Sequence, residues 1–549
     1  MATGISAQLL ESLTLGRIVA AVVVLTISSF IVDFTWKPRY ADSLPRAGCG
    51  RGLLGTLQNW FFFVTRYNDW VAEGYKKYSK DQRAFVVPSA PSRPHEIVVP
   101  RSQTAWMLEL PDRVLSAKEA HQDVLRNDYQ FLGIDDHFPI QTIHKHLARN
   151  ITGLIPGVQE EVHGALDAVL GKDTENWKSL NLWEVWLGIV PRVTSRIIVG
   201  APLCRNQEFL SAQVAFADDV VRNSILLDLF PRVLQPLIGP LLVLANRWHW
   251  RKTHLLAEPL ITQRIHDMTS NDPAHKDWRP PEDMITWLIR QAQTEGFANQ
   301  LTADLLSKSI LSVEFAAIHT TVLTGFNLFL DLLSSDPSLN YLDTIRGETA
   351  RVFAEENGAW SKQSLARLTR TDSAIKESMR ISPIARSLTH RKVVAPEGVT
   401  NPAEGWHAPY GASLMLDLGG THTDPTLYEE PERYDAWRFS REKERYEARS
   451  AATTAAAAGE KGADREEGLR IKRLGMVTTS PEYLPFSHGR HACPGRFFVA
   501  HELKMILAYF LQNYEVKPLA EKPKSMWLGV NAIPPVQTKI EIRRRKGTV

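Results

Sequence analysis

Cysteine is nearly absent: Cys49, Cys204 and Cys493 are the only three in 549 residues. Three scattered thiols cannot build a disulfide framework, and so few of them suit a reducing compartment. Charge of one sign is lacking too. The 64 basic residues are almost matched by 61 acidic ones, for a net charge of +3, so no nucleic-acid partner is indicated. No glycine-rich dinucleotide fingerprint follows a strand-like run, which leaves out a built-in nicotinamide site. No internal repeat appears, which leaves out a solenoid. The rest is an ordinary globular composition, 44% hydrophobic and 23% charged.

One cysteine has an unusual setting: Phe486-Ser-His-Gly489-Arg-His491-Ala-Cys493-Pro-Gly495, directly ahead of an apolar stretch towards Leu511. Pro494 fits the first position of a helix, which puts Cys493 at the positive end of that helix. Gly489 and Gly495 let the backbone approach a flat ligand and turn its N–H groups to the sulfur. Phe486 would shield the sulfur from water. An anion stabilised in this way is the axial ligand a haem iron needs to split dioxygen. A lone cysteine is more often a small buried hydrophobe. The Phe, the two Gly and the Cys at this spacing, however, are expected by chance only about 4 × 10⁻⁴ times in a chain of this composition. The loop resembles the haem-binding loop of the cytochrome P450 family, F-x-x-G-x-[R/H]-x-C-x-G, at every position.

That resemblance implies a mainly α fold with minor β-sheet, one haem b (heme b) held by Cys493 as the axial ligand of its iron, and O2 as co-substrate. Three further segments carry it. Glu377-Ser-Met-Arg380 with Arg438, in Trp437-Arg438-Phe439, matches the family's structural Glu-Arg-Arg triad, with Ala436 in place of the usual proline. Phe315-Ala-Ala317-Ile-His319-Thr320-Thr321 resembles the distal helix, with Thr320 as the catalytic threonine. There Ala317 stands for the usual glycine and His319 for the usual acid, so restoring an acid by His319→Asp is expected to be well tolerated. A mid-helix threonine otherwise just bonds its own i−4 carbonyl. The haem propionates imply cationic partners: Arg386 by resemblance, His491 two residues before the cysteine, and His144 or Lys145 in place of an early W-x-x-x-R. His422, in a His-x-Asp-Pro turn, reads as structural. The substrate pocket is implied along 112–137, 218–244, Ala316 and Thr320, 384–388 and 529–533.

The chain divides into an N-terminal segment 1–36, a Pro/Gly-rich hinge 37–55 and a catalytic domain 56–549, with 441–468 an alanine-rich, charged surface insertion. Ile18 to Trp36 is 19 largely apolar residues, about enough to cross a ~30 Å hydrocarbon core as one transmembrane helix. Trp36, Lys37, Arg39 and Tyr40 follow, an aromatic and positive border that places the catalytic domain in the cytosol, at the endoplasmic reticulum by resemblance. Leu226 to Leu244, strongly apolar with three prolines, suits a region dipping into the membrane. The length leaves no room for a fused flavin domain, so electrons are expected from NADPH through a separate NADPH-cytochrome P450 reductase. The motif dialect, A-I-H-T-T and F-S-H-G-R-H-A-C-P-G-R-F-F, resembles fungal members of secondary metabolism acting on lipophilic small molecules. Two other readings share the scaffold: an isomerase or dehydratase that needs no external electrons, and a non-enzymatic haem sensor.

Overall fold

The computed structural model describes residues 15–131, 137–230, 232–270, 278–296, 301–454, 467–468, 470–471 and 473–547. Its axis is the helix Ala303–Leu333, started by the Thr302 hydroxyl, which accepts from the Leu305 amide at 3.2 Å. This helix is apolar on most of its faces, the pattern of an element buried on all sides. It packs against Leu182–Ile198, Gln207–Asp228, Leu244–Thr269 and Thr369–Ile381, and touches the helix Arg496–Asn513 that follows the cysteine loop. Interlocked rings tie these helices together: Trp186 meets Phe329 edge-on at 5.3 Å, and Phe329 meets Phe510 at 4.8 Å.

The minor sheets lie elsewhere. Five strands run in the order 85–87, 96–99, 413–416, 390–393, 115–116. Only the pair Glu96–Val99 with Ser413–Leu416 is parallel, in register Ile97↔Leu414. A three-stranded sheet joins Lys178–Asn181, Lys539–Arg544 and Tyr514–Val516, and a hairpin joins Met526–Leu528 to Asn531–Ile533.

Apolar residues recur at helical spacing over 144–170, 182–199, 209–227 and 301–333 of the sequence, and these windows are helices with shifted ends: His137–Leu170, Leu182–Ile198, Gln207–Asp228 and Ala303–Leu333. A fifth such window, 365–379, is two elements, Lys362–Ala366 and Thr369–Ile381, because Leu368 (φ −76°, ψ 72°) makes an inverse γ-turn, with the Thr369 amide donating to the Arg367 carbonyl at 2.9 Å. The segment 37–55, expected as a hinge, makes contacts with the catalytic domain. Tyr40 and Leu44 are buried, and the Ala47 and Val86 amides donate to the Val86 and Pro45 carbonyls at 2.9 and 2.8 Å, so the segment is pinned to an edge strand. From Gly52 it is already part of the helix Gly52–Lys77. The expected insertion 441–468 begins as the helix Ser440–Thr454, and 455–466 lie outside the described residues.

Leu15–Trp36 is helical, with Val19, Val23, Val24, Ile27 and Ile31 exposed. By length and composition, Ala303–Leu333 is the helix among the described residues that could cross a membrane. Two-thirds of its apolar window is buried in the fold, so it is a core helix.

Gly325 lies under Trp186: a Cβ there would sit 2.3 Å from the indole. Such overpacking costs about 1–3 kcal/mol, against roughly 1 kcal/mol that alanine gains over glycine in a helix. The wedged ring decides the sign. Gly325→Ala will lower the thermal unfolding midpoint, and Trp186→Phe in the same chain will recover part of the loss. An unchanged midpoint for Gly325→Ala would show that the ring moves freely.

Candidate active site

The cysteine loop is held open from outside. Ser487 and Gly489 both have positive φ, 56° and 74°, a strained choice for the serine. The loop closes with the Cys493 amide donating to the Phe486 carbonyl at 2.9 Å, and the Thr389 hydroxyl bonds Ser487 Oγ at 2.9 Å. The following helix starts at Arg496 with Gly495 as its cap, so Pro494 precedes the helix rather than opening it. Cys493 is nevertheless at the N-terminal end. Burial pushes its thiol up, while the Gly495 and Arg496 amides bonded to the sulfur and the Arg496 guanidinium pull it back down. Phe486 is half-buried against the main core.

Glu377, Arg380 and Arg438 converge. Glu377 and Arg380 are fully buried; Arg380 Nε and Nη2 donate to both Glu377 oxygens at 2.8 Å, and Arg438 Nε donates at 3.0 Å. Arg380 Nη1 also reaches the His422 and Pro431 carbonyls, at 2.5 and 2.7 Å. His422 then links this knot to the cysteine loop. Its Nδ1 donates to the Arg380 carbonyl at 3.1 Å and its Nε2 accepts from the Leu484 amide at 3.0 Å. Burial and Arg380 push the His422 pKa down to about 3, which keeps it neutral for that role.

On the central helix, Ala316 and Thr320 are accessible one turn apart in an otherwise buried stretch, so they line an interior space. The Thr320 hydroxyl donates to the Ala316 carbonyl at 2.7 Å. His319 Nε2 lies 2.8 Å from Asp218 Oδ1 on the helix Gln207–Asp228. Phe131 meets Phe216 and Phe315 edge-on at 6.1 and 5.4 Å, in a buried apolar cluster with Val220 and Leu311 against which Phe315 is half-buried. Segments 384–388 and 529–533 meet through Arg386 N–H to Val530 C=O (2.8 Å) and Ala532 N–H to Ile384 C=O (3.1 Å). Of the expected lining 112–137, residues 132–136 lie outside the described residues.

The cationic residues sort differently from expectation. Arg386 faces Asp417 with Nε and Nη2 at 2.7 and 2.8 Å, so a buried carboxylate 31 residues away has taken it. Lys145 is ion-paired with Glu295 at the surface. His144 instead lines a cavity of about 220 Å³ with Gly489, Ala492, Pro494 and Arg496, on the cysteine loop. His491 Nε2 sits 2.8 Å from Asp112 Oδ1. Sequence reasoning missed a cluster around it. Burial, with His390, Arg391 and His491 nearby, pushes His121 down to about 4, although its ring is accessible to the interior space. Arg391, pushed down to about 10 by burial, keeps Nη2 buried with no partner.

Behind the central helix lie two buried carboxyls. Ser195 Oγ donates to Glu314 at 2.9 Å and Thr194 Oγ1 to Glu502 at 3.0 Å, with Glu502 on the cysteine helix. Burial pushes each up to about 8, and the Glu314 charge adds to the rise at Glu502.

A half-buried loop that directs two amides at one cysteine sulfur, leading into a helix in contact with the threonine-bearing one, defines a haem-thiolate class of site. The sequence pattern of the cytochrome P450 family matches residues 111–541. The chain is 31% identical over 519 residues to the cytochrome P450 monooxygenase pbrC of Penicillium brasilianum, covering 92% of both chains. It is 30% identical over 519 residues to astC of Aspergillus terreus (92% and 93%), and 29% over 544 residues to gloP of Glarea lozoyensis (97% and 96%); both are named cytochrome P450 monooxygenases. The protein belongs to the cytochrome P450 family and is a monooxygenase, an oxidoreductase that uses haem iron, O2 and electrons from a redox partner. The residues present fit the haem: a thiol under two amides, and a buried Arg391 nitrogen without a partner near three histidines, suited to carboxylates.

The raised carboxyls fix a pH dependence. An acid raised on folding binds its proton more tightly folded than unfolded. Their contribution therefore falls as pH rises from the ordinary glutamate value near ~4.3 to about 8. The Glu314→Gln/Glu502→Gln double variant will lose less thermal stability than the parent between pH 6 and 8.5. Parallel curves would mean that the two carboxyls are ionised already at pH 6.

Proposed function

We propose that this protein is a membrane-anchored monooxygenase of fungal secondary metabolism that oxidises a lipophilic small molecule: RH + O2 + 2 electrons + 2 protons give ROH + H2O. The observation that carries the reading is the Cys493 sulfur under the Gly495 and Arg496 amides, in a loop wired to a buried ion pair. Haem, when bound, supplies dioxygen activation. Cys493 would ligate its iron, Gly489 and Gly495 would let the backbone lie close, and Phe486 would keep water from the sulfur. His121, His390, Arg391 and His491 hold its carboxylates; Arg386 instead fixes the turn before strand 390–393 through Asp417. Thr320 and His319 hold and pass the protons. Glu377, Arg380 and Arg438 keep the loop in place.

Half-buried Phe315, next to the accessible Ala316 on the central helix, supports a lipophilic substrate. The fungal sources of the three relatives and the A-I-H-T-T dialect support a place in secondary metabolism. Electrons come from an NADPH-dependent reductase on the same membrane. Leu15–Trp36 is the single-pass anchor, at the endoplasmic reticulum with the catalytic domain cytosolic. Leu229, Val233, Leu237, Leu241, Leu244 and Trp248, all exposed, give a second apolar contact with lipid.

The test is genetic and spectral together. Deleting the gene in its host will accumulate a lipophilic precursor, and a copy carrying Cys493→Ala will not consume it. The purified parent will show the red-shifted Soret band of a thiolate-ligated carbonyl complex, and Cys493→Ala will not. A thiolate spectrum in Cys493→Ala would overturn the ligand assignment. Turnover of the precursor without NADPH and reductase would favour the isomerase reading.

Removing residues 1–36 takes away the anchor but leaves the 229–248 patch. The shortened protein will keep its haem and bind membranes weakly, released by salt and mild detergent. Recovery of the full chain in the soluble cell fraction would overturn the anchor.

A further inference from the structure

His319 precedes Thr320 on the central helix, yet its ring is held from another helix. Nε2 lies 2.8 Å from Asp218 Oδ1, while Nδ1 is buried with no partner. The two residues differ sharply in setting: the His319 side chain is 14% exposed and that of Asp218 63%. Neighbouring charges are engaged elsewhere. Asp219 takes Arg222 and His249, the latter at 2.6 Å, and Glu314 faces Ser195 on the other side of the central helix. Among the described residues, Asp218 is the charged group that pairs with His319.

A carboxylate can only accept from Nε2, so it fixes which nitrogen carries the ring proton. Nε2–H points to Asp218, and Nδ1 becomes the basic atom, turned inward. When the ring takes a second proton, it takes it at Nδ1 while Nε2–H stays on Asp218. When Nδ1 releases that proton, the ring returns to the Nε2–H form with no flip. We propose that Asp218 is a positioning residue for the monooxygenase reaction: it sets the tautomer of His319 so that a proton is held and released at Nδ1, and it ties the helix Gln207–Asp228 to the central helix at that point. This rests on the reading of His319 and Thr320 as the proton-delivering pair.

The pairing also reverses one expectation. His319→Asp does not restore a harmless acid; it sets two carboxylates against each other.

The experiment uses the full-length holoenzyme reconstituted with an NADPH-dependent reductase, without added substrate. Asp218→Asn, His319→Gln, His319→Asp, the exchange Asp218→His/His319→Asp, and Thr320→Ala are compared. The readouts are NADPH consumption from pH 6 to 8.5 in H2O and D2O, and amide hydrogen exchange of segments 207–228 and 303–333. Asp218→Asn and His319→Gln are expected to slow consumption by a similar factor, about tenfold or more, with a larger solvent isotope effect. Their double variant should be no slower than either. His319→Asp should be slowest, the exchanged pair should recover most of the rate, and exchange should quicken in both segments in each single variant of the pair. The thiolate carbonyl spectrum, unchanged, shows that folding is intact.

If Asp218→Asn matches the parent in rate, isotope effect and exchange while His319→Gln does not, the positioning role is wrong and the proton-delivery reading stands. If His319→Gln and Thr320→Ala both match the parent, that underlying reading fails and takes the role of Asp218 with it. If His319→Asp performs as well as the exchanged pair, the two side chains do not face each other in the working enzyme.

Discussion

The arrangement of this protein depends on the buried pair of Glu377 and Arg380. A carboxylate at 0% exposure is costly unless its oxygens are occupied, and these accept from Arg380, Arg438 and the Asp435 amide. Such a pair contributes little net stability over apolar residues of the same size. What it contributes here is direction. The remaining Arg380 nitrogen collects the carbonyls of His422 and Pro431, and His422 then takes the Leu484 amide two residues before Phe486. One turn earlier, Lys376 bonds the Leu474 carbonyl and lies over the Tyr483 ring. The cysteine loop, with its left-handed Ser487, has no helix or strand of its own over 486–488, so its shape is imposed by this knot.

Opposed electrostatic demands meet around the loop. The sulfur is favoured as an anion by two amides and Arg496 and disfavoured by burial, and burial prevails in the free thiol. A ligand that shares the negative charge would tip that balance. The cluster of His121, His390, Arg391 and His491 has the opposite sign. Burial first, and then the neighbouring His390, Arg391 and His491, take His121 down to about 4. Carboxylates placed among them would reverse that, since an anion favours every cation around it. A group with a metal at its centre and carboxylates at its edge therefore satisfies two strained regions at once.

What could be read from the sequence follows from what is local in it. Glu377 and Arg380 are one helical turn apart, and Phe486 to Gly495 is a ten-residue loop, so spacing alone reports their geometry. Long amphipathic helices announce themselves in the same way. Partners far apart in the chain are not legible in this way. Nothing near Arg386 predicts that Asp417 claims it, nor near Lys145 that Glu295 does. His390 and His121 belong to a short strand and a nine-residue helix, elements too brief for periodicity to orient their side chains. The strand Phe85–Val87 is only three residues long, too short for alternation to report it or its pairing with 45–47.

The central helix shows how one element serves three surroundings. Ile318, Val322 and Phe326 face the core at 0% exposure, Glu314 faces a dry polar pocket, and Ala316 and Thr320 face the interior space. Thr320 and Thr324 each donate to the carbonyl four residues back, at 2.7 Å. With its single proton so committed, the Thr320 hydroxyl presents only lone pairs to the interior space. It can accept a hydrogen bond there at once, but it can donate one only by giving up the Ala316 carbonyl. A threonine in that state orders what approaches it and is a poor first source of protons, so the supply has to come from a neighbour that can refill. Its neighbour His319 has a titratable ring, and that ring is paired with the exposed Asp218.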